Sequence, residues 1–471
     1  MTTRTVICDL DDTLLRTDLL FESVLKLIRT KPWLIIKLPG WFLKGKAHAK
    51  AAIAQHVKLD PALLPYRDDV LRLVKARRQA GAKTVLLSAS NQELVSSISN
   101  YCQCFDDAGG SSDSINLKGK QKLAWIESRY PGPFEYIGDS SADIPIWKKS
   151  AHAVLINPSS FTTSKLKSLG TSCEVLDDRP NLMRLITKQL RVNQWVKNIL
   201  IAVPLISAHK ITDLDLLAKT ILAMISFSMI ASMVYVMNDM LDVENDRKHP
   251  TKKERPFASG KLPIKTGFFL APVLGIASFA VASLLGWKFS GVIAIYFIVN
   301  IIYSIRLKEE VMLDVVTLAS FYTMRLMAGS AATDIIISQW LLSFSTFFFL
   351  GLAMVKRYTE LLRIVSRNHN ALHGRGYTGE DKIPVLVMGI TCSMLSILIL
   401  ALFFASPDVQ VLYREPYRLW MLAPILLFWT GRIWLLTQRG QVDDDPVVFA
   451  MKDKVSLAAL VYIGLVISWA T

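Results

Sequence analysis

From residue 195 to the end, apolar runs close to the ~20 residues that cross a hydrocarbon layer alternate with short polar loops. Such runs hide their backbone polar groups in lipid only as helices, so this half of the chain is confined to a bilayer. The runs cover about 195–208, 216–237, 265–287, 289–305, 312–333, 337–355, 384–405, 418–437 and 448–470. They predict an all-α, multi-pass membrane domain of about nine transmembrane helices, the first of them short. Up to about residue 190, charged and apolar residues are mixed as in a globular domain. A chain of 471 residues exceeds one ordinary soluble domain. The division is therefore 1–175, a helical linker at 176–194, and 195–471. The net charge of +15 does not call for nucleic acid, because most basic residues of the second half lie in loops. The loops near 238–264, 306–311, 356–383 and 432–454 are basic, and those near 209–215, 288 and 334–336 are not. That asymmetry predicts a protein of the inner or plasma membrane with the basic loops and the amino-terminal domain cytoplasmic, and the carboxyl terminus outside. Thr5–Leu10 is too short for a signal peptide, and the five scattered cysteines, with Cys102 and Cys104 too close for a structural bridge, fit a reducing compartment.

The stretch Asn238–Gly260, NDMLDVENDRKHPTKKERPFASG, follows the run 216–237 without a break. If the helix continues, Asn238, Asp242 and Asp246 recur every four residues along one side. Carboxylates so placed repel one another unless a cation lies between them, and Mg²⁺ is the natural one. Arg247, Lys252, Lys253 and Arg255 follow, enough positive charge for a diphosphate. The plainer reading is a charge cluster marking the cytoplasmic membrane face. The order of residues resembles NDxxDxxxD, the first aspartate-rich motif of the UbiA superfamily of intramembrane transferases. That resemblance implies that Asn238, Asp242 and Asp246 are catalytic, Asp242 and Asp246 as Mg²⁺ ligands. It also implies that Arg247, Lys253 and Arg255 bind substrate.

In the amino-terminal half, Thr5–Leu10 reads as a strand running into DLDDT, Asp9–Thr13, which places Asp9 and Asp11 at the carboxyl edge of a sheet. Thr84–Leu87 runs into Ser88, and Phe134–Ile137 runs into GDSSAD, Gly138–Asp143, with LKGKQK at Leu117–Lys122 between them. These four motifs in this order resemble the haloacid dehalogenase (HAD) superfamily of phosphohydrolases over about residues 3–175. The implied fold is an α/β, Rossmann-like domain with a helical cap at about 18–80. The implied roles are Asp9 as nucleophile, Asp11 as general acid and base, and Ser88 with a lysine as phosphoryl holders. Asp9, Asp11, Asp139 and Asp143 form the Mg²⁺ site, and Thr13 completes the first motif. Lys122 fits the lysine position best, with Lys118 and Lys120 as rivals. Inside the cap, Lys31–Lys44, KPWLIIKLPGWFLK, has the composition of a segment lying at headgroup depth; ordinary cap core is the other reading.

Two further regions bear on the membrane half. Arg191–Asn198, RVNQWVKN, resembles the entry to the first helix in part of the UbiA superfamily, with Lys197 binding substrate. Tyr303–Gly329 holds Asp314 and Arg325 inside an apolar run, where an ionisable residue is costly and usually functional. UbiA members that use prenyl diphosphates generally carry two or more carboxylates there, whereas here Leu318 stands one turn after Asp314. DVENDRKHPTKKERP, KRYTEL at Lys356–Leu361, GYTG at Gly376–Gly379 and DDDPVVFAMKD at Asp443–Asp453 resemble the branch that transfers 5-phosphoribose to a polyprenyl phosphate. Lys356 and Arg357 are expected to bind phosphate, or else to mark a cytoplasmic helix end; Asp443, Asp444 and Asp445 are expected to be solvated.

The leading expectation is a two-headed, Mg²⁺-dependent membrane enzyme. One half transfers 5-phosphoribose from phosphoribosyl pyrophosphate to polyprenyl phosphate, and the other removes the 5-phosphate. The alternatives are a conventional prenyltransferase using a prenyl diphosphate and an aromatic or similar acceptor, and a lipid-binding membrane protein with an inert HAD regulator.

Overall fold

The computed structural model describes residues 4–112, 116–365, 375–442 and 445–471. The chain forms two compact units. One runs to Leu190 and includes Tyr235–Pro272; the other comprises Arg191–Val234 and Val273–Thr471. This differs from a division at 195, because the aspartate-rich stretch packs with the amino-terminal unit.

That unit is built on six parallel strands: β1 (Thr5–Cys8), β2 (Lys83–Asn91), β3 (Asp107–Ser111), β4 (Phe134–Gly138), β5 (His152–Ile156) and β6 (Cys173–Leu176). Their order is β3-β2-β1-β4-β5-β6. Successive side chains of a strand point to opposite faces, and both faces here are covered by helices. Val6, Cys8, Leu86, Val154 and Ile156 enter one core, while Ile7, Val85, Leu87, Ala153 and Leu155 enter the other. The strand order reverses at β1, so the crevice at its carboxyl end is where an α/β sheet holds a ligand. The cap comprises α1 (Leu19–Thr30), a 3₁₀ stretch Pro32–Lys37, α2 (Leu38–Leu43) and α3 (Lys46–Ala54). Asp18 caps α1 by accepting from the Leu20 amide.

Among the described residues, six helices are long and apolar enough to cross a membrane: Leu214–Leu241, Ile264–Leu284, Trp287–Ile305, Gln339–Arg363, Gly379–Phe404 and Pro416–Gln438. Pro446–Lys452 and Lys454–Ala470, bent by 83° at their junction, raise the count to seven if they are one broken span. Two expected segments are absent from that count. The run at 195–208 is a 3₁₀ stretch, Val192–Ala202, followed by the short helix Val203–Ser207. The helix Leu313–Thr333 has the length, but Asp314, Thr317, Ser320, Thr323 and Arg325 make it less apolar than the others.

Candidate active sites

At the carboxyl end of β1, Asp9 is buried and its Oδ2 lies 2.8 Å from Lys122 Nζ. Lys122, also buried, donates to the Tyr136 hydroxyl at 3.0 Å, and that hydroxyl donates to Asp143 Oδ1 at 3.1 Å. Thr13 donates to Asp139 Oδ1 at 3.2 Å. One carboxylate oxygen each of Asp9, Asp139 and Asp143 lies within 4.8 Å of the others. Burial, with Lys122 opposing and the carboxylates of Asp143 and Asp11 adding, pushes Asp9 up to about 7. Burial and then Asp9, Asp12 and Asp143 push Asp139 up to about 8. The donor set fits a hard divalent cation: the buried carboxylates of Asp9 and Asp143 converge with the half-buried one of Asp139, and Asp143 Oδ2 is a buried oxygen with no hydrogen-bond partner. Asp11 is not in this group. Its Oδ2 accepts from both Ser88 and Ser90 at 2.8 Å, and its Oδ1 from the Leu19 amide at 2.8 Å. Lys118 and Lys120 are exposed, so only Lys122 of the three lysines reaches the nucleophile.

The last residues of the helix Leu214–Leu241, from Tyr235 on, belong to the same unit; that helix ends just before Asp242, and a short helix, Val243–Lys248, follows. The four-residue spacing survives the break: the Asp242 amide donates to the Asn238 carbonyl at 2.9 Å, and the Asp246 amide to the Asp242 carbonyl at 2.8 Å. The buried carboxylates are not the expected trio, however. Asp246 and Asp239 are buried, seven residues apart and therefore two turns along one face, and Arg255 Nη1 bridges them at 2.7 and 3.0 Å. Asn238 and Asp242 are half-buried, and Asp242 lies 3.9 Å from Arg29 of α1. Arg247 donates to Glu22 of α1 at 2.6 and 3.2 Å and to the Ala258 carbonyl at 2.9 Å. Lys253 is exposed. As it stands, the stretch is an ion-pair network in which Arg255 is the cation shared by Asp239 and Asp246, and its carboxylates do not converge as a metal set among the described residues.

In the second unit, Asp314 is fully buried between two arginines. Arg357 pairs with it and with Glu360, and Arg375 reaches it at 2.6 Å while donating to Tyr303 at 2.8 Å. Tyr303 itself donates to Asp314 at 2.7 Å. Arg325 has no carboxylate partner among the described residues. It donates to Asn198 at 2.9 Å and to the Phe321 carbonyl, and lies over the rings of Phe227, Tyr296 and Tyr322. Lys197 pairs with Asp445, which also caps Pro446–Lys452, so Asp445 is a structural ion-pair partner rather than a solvated acid. Asp443 and Asp444 lie outside the described residues. Lys356, half-buried, stands within electrostatic reach of Glu360, Lys197, Asp445 and Arg375.

The UbiA prenyltransferase family matches residues 199–453, more than half of the chain, and the haloacid dehalogenase-like hydrolase family matches residues 6–148. The chain belongs to the UbiA prenyltransferase family. It carries a HAD domain at its amino terminus, and it is a membrane-integral enzyme. Protein y4nM of Sinorhizobium fredii is 37% identical over 454 residues, 96% of this chain and 88% of that one. A decaprenyl-phosphate phosphoribosyltransferase of Mycobacterium tuberculosis is 37% identical over 185 residues; the match spans 38% of this chain and 61% of that enzyme. Among solved structures, a UbiA homologue from Archaeoglobus fulgidus bound to GPP and Mg²⁺ covers 60% of this chain and 99% of its own, with TM-score 0.46 and 16% identity.

Within this UbiA–HAD chain, several residues at the sites carry a faint sequence signal or none. Ser90 stands two after Ser88 and thus on the same face of β2, and Asp239 stands one heptad before Asp246; both spacings are readable. Tyr136, Glu22 and Arg375 find their partners through folding alone.

Proposed function

We propose that the membrane half transfers 5-phosphoribose from phosphoribosyl pyrophosphate to a polyprenyl phosphate, and that the HAD half removes the 5-phosphate from the product. The observation that carries the first step is the state of Asp314. A second metal-binding carboxylate motif would leave that carboxylate open, whereas Arg357, Arg375 and Tyr303 hold it. Among the described residues grouped with it, Lys197, Arg325, Lys356, Arg357 and Arg375 outnumber Asp314, Glu360 and Asp445 by two charges. Uncompensated cations are costly inside a membrane protein, and a dianionic phosphate monoester balances them. Likeness to the mycobacterial phosphoribosyltransferase supports the same branch. In this reading Asn238, Asp242 and Asp246 serve the diphosphate end of the donor with Arg247, Lys253 and Arg255. Membership of the UbiA family supports Mg²⁺ at that end of the donor. The broken segment Val192–Ser207 and the helix Leu313–Thr333 complete nine spans, with both centres cytoplasmic.

For the HAD half, bound Mg²⁺ would be held by Asp9, Asp139 and Asp143, and would screen the negative charge of the incoming phosphate. Asp9 attacks phosphorus and forms an aspartyl-phosphate as the sugar oxygen leaves. Lys122, 2.8 Å from the nucleophile's carboxylate, neutralises the phosphoryl oxygens. Asp11, aimed by Ser88, Ser90 and the Leu19 amide, gives its proton to the leaving oxygen and then takes one from the hydrolytic water. Tyr136 ties Lys122 to Asp143, so the cationic and anionic parts of the site move together.

The test is purified protein with labelled phosphoribosyl pyrophosphate and polyprenyl phosphate, followed by extraction into organic solvent. Label in the organic phase that depends on polyprenyl phosphate supports the transfer. Label appearing only when a prenyl diphosphate and an aromatic acceptor are supplied returns the chain to conventional prenyl transfer.

A further inference from the structure

The cap segment Pro32–Lys44 divides its apolar side chains between two faces. Leu34 is buried, and Leu38 and Trp41 pack with it against Val24, Leu27 and Ile53 of the cap and against Phe268. Phe268 belongs to the start of Ile264–Leu284, a helix long and apolar enough to cross a membrane. Phe21 of α1 meets the same ring, centroids 5.2 Å apart. A membrane-crossing helix begins its apolar stretch at headgroup level, so residues packed on its opening turns lie at that level. The segment's other face is bare: Trp33 is 65% exposed, Ile36 85% and Leu43 89%, with Ile35 and Phe42 beside them. Between residues 31 and 50 stand five lysines and no carboxylate. One side is thus ordinary cap core, and the other is an amphipathic surface with a cationic rim.

We infer that the outer face of Pro32–Lys44 is a lipid-contacting element, seated in the anionic headgroup layer of the membrane that the same chain crosses. The bare aromatic and aliphatic side chains suit the acyl boundary, and the lysines suit lipid phosphates. The element is joined to the catalytic crevice. The α3 helix follows it directly, and Lys50 of α3 donates to the Ala89 carbonyl at 2.7 Å, between the Ser88 and Ser90 that aim Asp11. Resting on the proposed phosphatase activity, a second consequence follows: the substrate is a phosphate monoester carried on a lipid and met at the bilayer surface.

The experiment uses the full chain in vesicles of anionic lipid, with a fluorescent label at Ile36→Cys or Leu43→Cys. The half-buried Cys102 and Cys173 are replaced by serine. Brominated lipid should quench both labels strongly, and a label at the exposed Phe161→Cys in the same unit should stay bright. Labels at 36 and 43 no more quenched than the one at 161 would overturn the inference, as would their burial by a second copy or another protein. In the second arm, the triple variant Trp33→Ser, Ile36→Ser, Leu43→Ser should lose about tenfold in hydrolysis of a lipid-borne phosphate monoester while staying within about twofold on a water-soluble ester. Equal losses on both esters reduce the segment to cap scaffolding. If neither ester is hydrolysed, the phosphatase reading fails, and the quenching alone decides the surface.

Discussion

The HAD centre and the aspartate-rich stretch are both acidic clusters with basic neighbours, yet they settle their charges differently. In the HAD centre the acids sit at strand ends of one sheet, Asp9 after β1 and Asp139 and Asp143 after β4, and they converge. In Asn238–Gly260 the acids lie on a helix end, and their partners come from outside that helix: Arg255, in the segment that follows, for Asp239 and Asp246, and Arg29 of α1 for Asp242. A sheet fixes the spacing of its strand ends, so a motif read in sequence predicts which groups meet. A helix face fixes only which residues are neighbours along it, and long side chains from other elements then decide the pairing.

The largest effects should fall on the converged centre. Asp9→Asn replaces the nucleophile by an amide and should lower phosphate release by at least ~10³-fold. Lys122→Ala should cost ~10²-fold or more, because the phosphoryl charge loses its counter-cation. Lys118→Ala and Lys120→Ala should stay within about twofold, since both side chains are exposed. Steady-state assay of each variant checks this; a loss at Lys118 or Lys120 matching that at Lys122 would break the convergence argument.

Next come the helix-end acids. Asp242→Asn and Asp246→Asn should each lower lipid product formation by at least ~10²-fold while the protein still inserts. Activity within a few-fold of wild type removes that residue from the centre. Asp239→Asn sharpens the comparison. If Asp239 only anchors Arg255, the variant keeps most of its turnover at saturating substrate; if it serves the donor, the loss equals that at Asp246.

A smaller effect, on stability, is expected at the buried pair of Glu22 and Arg247. Glu22→Ala leaves a guanidinium short of its partner and should destabilise the amino-terminal unit by ~3 kcal/mol. Glu22→Ala with Arg247→Leu should recover part of that loss, and thermal unfolding of the detergent-solubilised chain reads both.

The smallest effect is pH-dependent. Asp178 is held below the usual carboxylate range: burial works against this, but the Asn157 amide, Arg67 and Arg16 overcome it. Its stabilising contribution is present above its unfolded value near ~4 and is lost as pH falls through the lower folded value. The stability gap between wild type and Asp178→Asn should therefore narrow below about pH 4. A gap unchanged on acidification would mean that Asp178 acts through shape alone.

Much of the HAD centre is legible in the sequence because strand-end motifs name the residues and the sheet brings them together. Asp9, Asp139, Asp143 and Lys122 meet as the pattern requires. Asp11, expected among the metal ligands, instead turns its carboxylate to Ser88 and Ser90. The chain turns directly after Asp9, over Leu10–Leu14, and no spacing rule announces which way Asp11 then faces. In the membrane half, periodicity finds the apolar helices but not the broken entry at Val192–Ser207. Nor does it find that Asp314 is clasped by Arg357 and Arg375, residues 43 and 61 positions later. Charges buried among helices pair by three-dimensional proximity, to which hydropathy is blind.

The central claim is that both centres act on one lipid, and one measurement tests it most directly. The full chain in vesicles is given polyprenyl phosphate and phosphoribosyl pyrophosphate radiolabelled in its 5-phosphate. Wild-type protein should pass the label through the lipid and release it as inorganic phosphate, whereas Asp9→Asn should leave it on the lipid. Label that never enters the lipid in either protein, or that stays there equally in both, would contradict the account.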